Sequence, residues 1–114
     1  MEGLWTIEFG SSEGVYGGGV IVFSHGKLAG GDSGYYYSGS YEMSADDIFK
    51  ATIHVKPFIK DFISIFNTRH KNFTLHLSGR VKDADHAIAQ GNPEEMPEMD
   101  LGVVLTRREE VIAA

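Results

Sequence analysis

Gly31-Asp32-Ser33-Gly34 spells the GDSG sequence that surrounds the nucleophile of many serine proteases. Nucleophilic serine chemistry needs a histidine base within hydrogen-bond reach of the hydroxyl, and an acid that orients the imidazole. Only His25 precedes Ser33, and 114 residues are too few for the two barrels that close around such a triad. Gly30, Gly31 and Gly34 supply permissive dihedrals, and Asp32 can accept backbone amides in an Asx turn. The stretch therefore reads as a turn between two strands, with Ser33 a turn residue and not a nucleophile.

The remaining chemistry-bearing residues are scattered. His25, His54, His70, His76 and His86 show no HxH, HExxH or carboxylate-flanked spacing of the kind that holds a metal. The chain has no cysteine, which excludes a thiolate nucleophile, a disulfide framework and a cysteine zinc site. Asp83 with Asp85, and Glu94-Glu95 with Glu98 and Asp100, lack the glycine and terminal glutamate of a calcium loop, so they read as solvated loops. Gly17-Gly18-Gly19 has no helix or GK[ST] behind it and reads as strand bending, not as a phosphate loop. With no triad, carboxylate pair or metal set to assemble, the expectation is a non-enzymatic protein that uses neither metal nor cofactor. Tyr35, Tyr36, Tyr37 and Tyr41 form an aromatic row suited to stacking, to lining a pocket or to a protein interface.

A net charge of −6 repels the phosphate backbone, so direct nucleic-acid binding is disfavoured while a basic protein partner is not. The opening MEGLWTIEFG lacks the basic and apolar regions of a signal peptide, and no apolar run reaches membrane-span length. A cytoplasmic protein, without membrane contact, is the expectation. Hydrophobic residues at 42% and charged residues at 23% suit one globular domain over residues 1–114.

The elements that would position these residues follow from alternation. Trp5, Ile7 and Phe9 alternate with Thr6 and Glu8, the period of two that a half-buried strand requires. Residues 15–24 resume a β-branched and aromatic run, and His25-Gly26-Lys27 reads as a tight turn into Leu28. Residues 35–43 alternate again, Ser44-Ala45-Asp46-Asp47 turns the chain, and Phe49, Ala51, Ile53 and Val55 alternate until Pro57 removes a ladder donor. His54 falls on the polar side of this strand, as does His76 of the strand carrying Phe73, Leu75 and Leu77. Helical spacing over residues 58–66 predicts one short helix or turn. A turn at 83–85, a strand at 86–90, a loop at 91–97 and a strand at 99–107 complete the chain.

About eight hairpin-connected strands imply an all-β antiparallel meander, and closure into a small barrel removes the two edges that an open sheet leaves exposed. Glycines inside strands, among them Gly39, Gly79 and Gly102, fit the bends such a barrel needs. Trp5, Ile7, Phe9, Phe49, Phe73, Leu75 and Leu77 are expected to fill its core.

The opening GLWTIEF, the segment GVIVFSHGKLAGGDSGYYYSGSYE, the HLSGRV strand and the closing NPEEMPEMDLGVVLTRR resemble the GrlR-like family, named for a negative regulator of type III secretion. The most specific part is Gly30-Gly31-Asp32 followed by Tyr35-Tyr36-Tyr37 and Gly39-Ser40-Tyr41. The resemblance implies a lipocalin-like eight-stranded barrel, a homodimer and, for the namesake, restraint of a transcriptional activator by direct binding. An acidic run after the aromatic strand is linked to that binding; the matching turn here, Ser44-Ala45-Asp46-Asp47, makes Asp46 and Asp47 the candidate partner-binding residues. Two functions are therefore expected: a regulator that sequesters a basic activator or, as the alternative, a small barrel that binds an apolar small molecule.

Overall fold

A computed structural model describes residues 1–11, 14, 16–59 and 72–110. Eight strands follow one another: β1 (Gly3–Ser11), β2 (Tyr16–Ser24), β3 (Lys27–Gly31), β4 (Tyr35–Met43), β5 (Ile48–Pro57), β6 (Phe73–Asp83), β7 (His86–Pro93) and β8 (Leu101–Glu109). Each pairs antiparallel with the next, and β8 returns to pair with β1, so the sheet closes into a barrel with strand order equal to chain order. The expected all-β meander barrel is the fold observed.

Alternation sets the inside of the wall. Trp5 and Ile7 are buried while Glu8 is exposed, and on β5 buried Phe49, Ala51, Ile53 and Val55 alternate with exposed Lys50, His54 and Lys56. His25 and Gly26 link β2 to β3 with φ of 52° and 78°, the doubly left-handed pair that matches the twist of a two-residue hairpin. At Gly39 and Gly91 an added Cβ would stand 1.9 Å from the Thr52 carbonyl oxygen and 1.8 Å from that of His76. Backbone of the neighbouring strand thus fills the space that any side chain would need.

Two sequence expectations shift. β7 runs on to Pro93 and absorbs residues 91–93 of the stretch read as a loop, while β8 starts at Leu101 and not at residue 99. Among the described residues the one short helical element is a 3-10 turn at Ala45–Asp47. Of the helix or turn expected over residues 58–66, positions 60–66 lie outside the described residues; Phe58 and Ile59 are exposed, and the Phe58 amide donates to the Gly34 carbonyl at 2.9 Å.

The two ends of the barrel differ. One end gathers the start of β1, the β2–β3 and β4–β5 turns and the end of β8. There Trp5 and Phe23 meet edge to face at 6.2 Å between ring centres, and Phe23 and Tyr41 at 5.1 Å, in the geometry aromatic quadrupoles favour. The amino-terminal residues tie onto this plug: Trp5 Nε1–H donates to the Met1 carbonyl at 3.0 Å and the Tyr41 hydroxyl to Glu2 Oε2 at 2.7 Å. The other end carries the β1–β2 and β3–β4 turns.

Candidate functional site

The GDSG stretch forms the link from β3 to β4. Asp32 Oδ1 accepts the amides of Gly34 and Tyr35, both at 2.9 Å, and the Asp32 amide donates to the Tyr35 carbonyl at 2.9 Å. This is the Asx turn that the glycines and aspartate imply. Ser33 is exposed at its tip. His25 lies beyond the far end of β3, five residues or roughly 16 Å of extended strand away. Its Nδ1 lies 2.9 Å from Ser24 Oγ, so His25 and Ser33 do not form a base and nucleophile pair.

Asp32 does more than hold the turn. Its second oxygen, Oδ2, accepts the hydroxyl of Tyr37. Tyr37 is buried, and that burial, reinforced by the bond to Asp32, pushes its pKa well above the ordinary phenol value. The phenol therefore stays protonated and donating. Room for the pair comes from β2, whose inward positions begin with two glycines. A Cβ on Gly19 would stand 3.2 Å from both Asp32 Cβ and the Tyr37 hydroxyl, and one on Gly17 would stand 2.7 Å from the ring of Phe9. The glycine triplet, read as strand bending, thus makes space inside the barrel.

A cavity lies beside the Asp32–Tyr37 pair. A volume of about 300 Å³ lies within the wall, toward the end that carries Asp32. Ile7, Phe49, Phe73, Leu75 and Leu77, expected to fill the core, are buried in it with Phe9 packed against them, and all six also line this cavity. Trp5 alone of that set is spent on the plug at the opposite end. The reason is geometric: an eight-stranded barrel is wide enough to hold one small ligand unless large side chains fill it, and Gly17 and Ala51 add little bulk to the lining. Exposed Tyr16 and Ser33 belong to the lining, so the cavity reaches the surface beside the β3–β4 turn.

The tyrosine row divides among three places. Tyr35 and Tyr37 point inward and line the cavity, with the Tyr35 ring 5.9 Å from that of Phe73. Tyr41 faces inward at the other end, where burial and its bond to Glu2 raise its pKa to about 12. Tyr36 points outward, 46% exposed, opposite Lys56 on β5.

Asp46 and Asp47 sit on the 3-10 turn between β4 and β5, at the plugged end and away from Asp32. Both are exposed, with left-handed φ of 68° and 61°. Ser44 pins the turn, its amide and hydroxyl both donating to the Ile48 carbonyl, at 2.8 and 3.1 Å.

The other acids and histidines work locally. Asp83 Oδ1 accepts the Asp85 amide at 2.8 Å and lies 2.8 Å from His86 Nδ1, contacts that lower its pKa, the Asp85 amide foremost. Glu95 accepts the Thr74 amide at 3.0 Å, and Glu94 meets His76 Nε2 at 2.8 Å. His54 and His76 are exposed, as their phase implies, and His70 lies outside the described residues. Among the described residues no helix is long and apolar enough to cross a membrane.

No protein-family model matches the chain, and no curated protein matches it.

Proposed function

We propose that this protein is a non-enzymatic binding protein that holds a small apolar molecule inside its barrel. The observation that carries the reading is the cavity of about 300 Å³, lined by aliphatic and aromatic side chains and reaching the surface beside Ser33. That volume matches roughly ten molecules of liquid water and lies at the lower bound of typical ligand pockets. Water gains little against such walls, whereas an apolar guest recovers the dispersion contacts that the gap forgoes.

Titration with the neutral fluorophore N-phenyl-1-naphthylamine tests the reading. Saturable uptake of one probe per barrel is expected, and its loss in Ala51→Phe, which fills the cavity from β5. Circular dichroism establishes that the variant keeps its sheet. Absence of saturable uptake, or uptake indifferent to a folded Ala51→Phe, overturns the proposal.

A second reading is supported by Asp46 and Asp47, two exposed carboxylates without hydrogen-bond partners among the described residues, on a chain of net charge −6. In that reading the protein binds a basic protein, such as a transcriptional activator, and so acts as a negative regulator. The sites lie at opposite ends of the barrel, so one molecule can carry both activities.

A further inference from the structure

Among the described residues that line the cavity, Asp32 is the one that carries a formal charge. A carboxylate offers about four lone-pair positions. Gly34 and Tyr35 take two on Oδ1 and Tyr37 takes one on Oδ2, which leaves one acceptor position on Oδ2. None of the ion pairs among the described residues includes Asp32. Every other polar side chain of the described lining is an uncharged hydroxyl, from serine or tyrosine.

A carboxylate at one end of an otherwise apolar chamber discriminates by sign. The carboxylate head of a fatty acid would face Asp32 as a like charge and a second acceptor, and the Tyr37 proton beside Asp32 is already in use. A protonated amine would bring both opposite charge and N–H donors, and charge-assisted hydrogen bonds are the stronger kind. We propose that the cavity is a site for an apolar molecule with a single amine head, whose ammonium donates to Asp32 Oδ2 while its chain lies along Ile7, Phe49 and Leu75. The proposal rests on the cavity reading above and adds the identity of the head group.

Isothermal titration of the full chain with decylamine, decanol and decanoate tests it, because the three share a chain and differ in the head. Salt near physiological strength, about 0.15 M, screens the net negative surface. Decylamine is expected to bind at least about tenfold tighter than decanoate, with decanol between them. In Asp32→Asn the amide oxygen can still accept the Gly34 and Tyr35 amides, but the charge is gone, so the preference for amine should collapse. Decanoate binding as tightly as decylamine, or an amine preference that survives Asp32→Asn, overturns the head-group assignment and leaves the cavity reading standing. If none of the three binds, the cavity reading itself fails. Should Asp32→Asn not fold, Tyr37→Phe serves instead: it frees a second acceptor position on Oδ2, and the amine preference should widen. An unchanged or narrower preference in that variant counts against the proposal.

Discussion

Asp32 and Tyr37 face each other across the inside of the β3–β4 hairpin, the tyrosine hydroxyl donating to one carboxylate oxygen while the other oxygen holds the amides of the turn. One side chain thereby fixes both the turn and the polar end of the cavity. Asp32→Ala removes the acceptor for two amides and strands a buried phenol, so it should cost about 2 kcal/mol, whereas Asp32→Asn should cost less. Ser33→Ala, at the exposed tip, should stay within about 0.5 kcal/mol of the wild type and change no hydrolytic activity. Urea denaturation of the three variants measures the order. Equal midpoints for Asp32→Ala and Ser33→Ala would refute the division of labour.

Glycines of the same sheet should respond oppositely to a side chain. A Cβ on Gly19 would stand 2.7 Å from the Gly31 carbonyl oxygen and close to the Asp32–Tyr37 pair, whereas one on Gly102 would meet nothing within 4 Å. Gly19→Val is expected to destabilise by about 1–3 kcal/mol through overpacking. Gly102→Ala is expected to stabilise by about 0.4–1 kcal/mol, since it restricts the unfolded chain without a clash. Thermal melts of the two single variants decide it; a loss of stability in Gly102→Ala would mean that bending at this strand needs glycine itself.

Alkaline pH should unfold the barrel from within. Tyr37 and Tyr41 both have folded pKa values raised above the ordinary 10.0, Tyr41 to about 12, in each case chiefly by burial. Between those values the folded state holds protons that the unfolded state releases, so stability is fully present below pH 10.0 and is lost as pH rises toward and beyond 12. Tyr41→Phe should flatten the decline up to about pH 12, leaving the loss due to Tyr37. Glu2 acts on the acid side: its pKa is lowered, first by the Tyr41 hydroxyl, so its contribution exists above 4.5 and fades as pH falls through the lowered value. Melting temperature against pH, compared between wild type and Tyr41→Phe, tests the alkaline limb. Parallel curves from pH 10 to 12 would exclude Tyr41 as a source.

The acidic turn separates folding from binding. Surface carboxylates contribute little, so Asp46→Asn with Asp47→Asn should hold stability within about 0.5 kcal/mol. If the turn steers a basic protein, the double variant should retain less of it from lysate at low salt, and the difference should vanish at high salt. Retention identical at low salt would assign these aspartates to the turn alone.

Much of the wall is legible from alternation, because strands with large inward residues, such as Phe49, Ala51, Ile53 and Val55, write their phase in hydrophobicity. The cavity is not legible in the same way. Gly17 and Gly19 face inward but have no side chain to alternate, so the pattern that reveals a wall cannot reveal a gap in its filling. Asp32 is hidden for a related reason: it lies in a turn, where period two is broken, and only the fold turns its carboxylate toward Tyr37. The extension of β7 is masked by Gly91 and Pro93, residues that otherwise announce a loop. The GDSG turn was readable because turn chemistry is local, set by a few adjacent residues.

Seven of the eight strand pairings join chain neighbours, and β1 with β8 is the exception: Thr6 stands opposite Thr106, 100 positions away in sequence. Loop-closure entropy makes such a seam the slowest contact to gain, so it should form after the hairpins in refolding. Because Ile7 of β1 and Val103 and Leu105 of β8 line the cavity, the chamber is complete only once the seam has zipped. A guest inside would then act as a latch, its effect falling on the rate at which the barrel springs open and hardly on the rate at which the hairpins assemble.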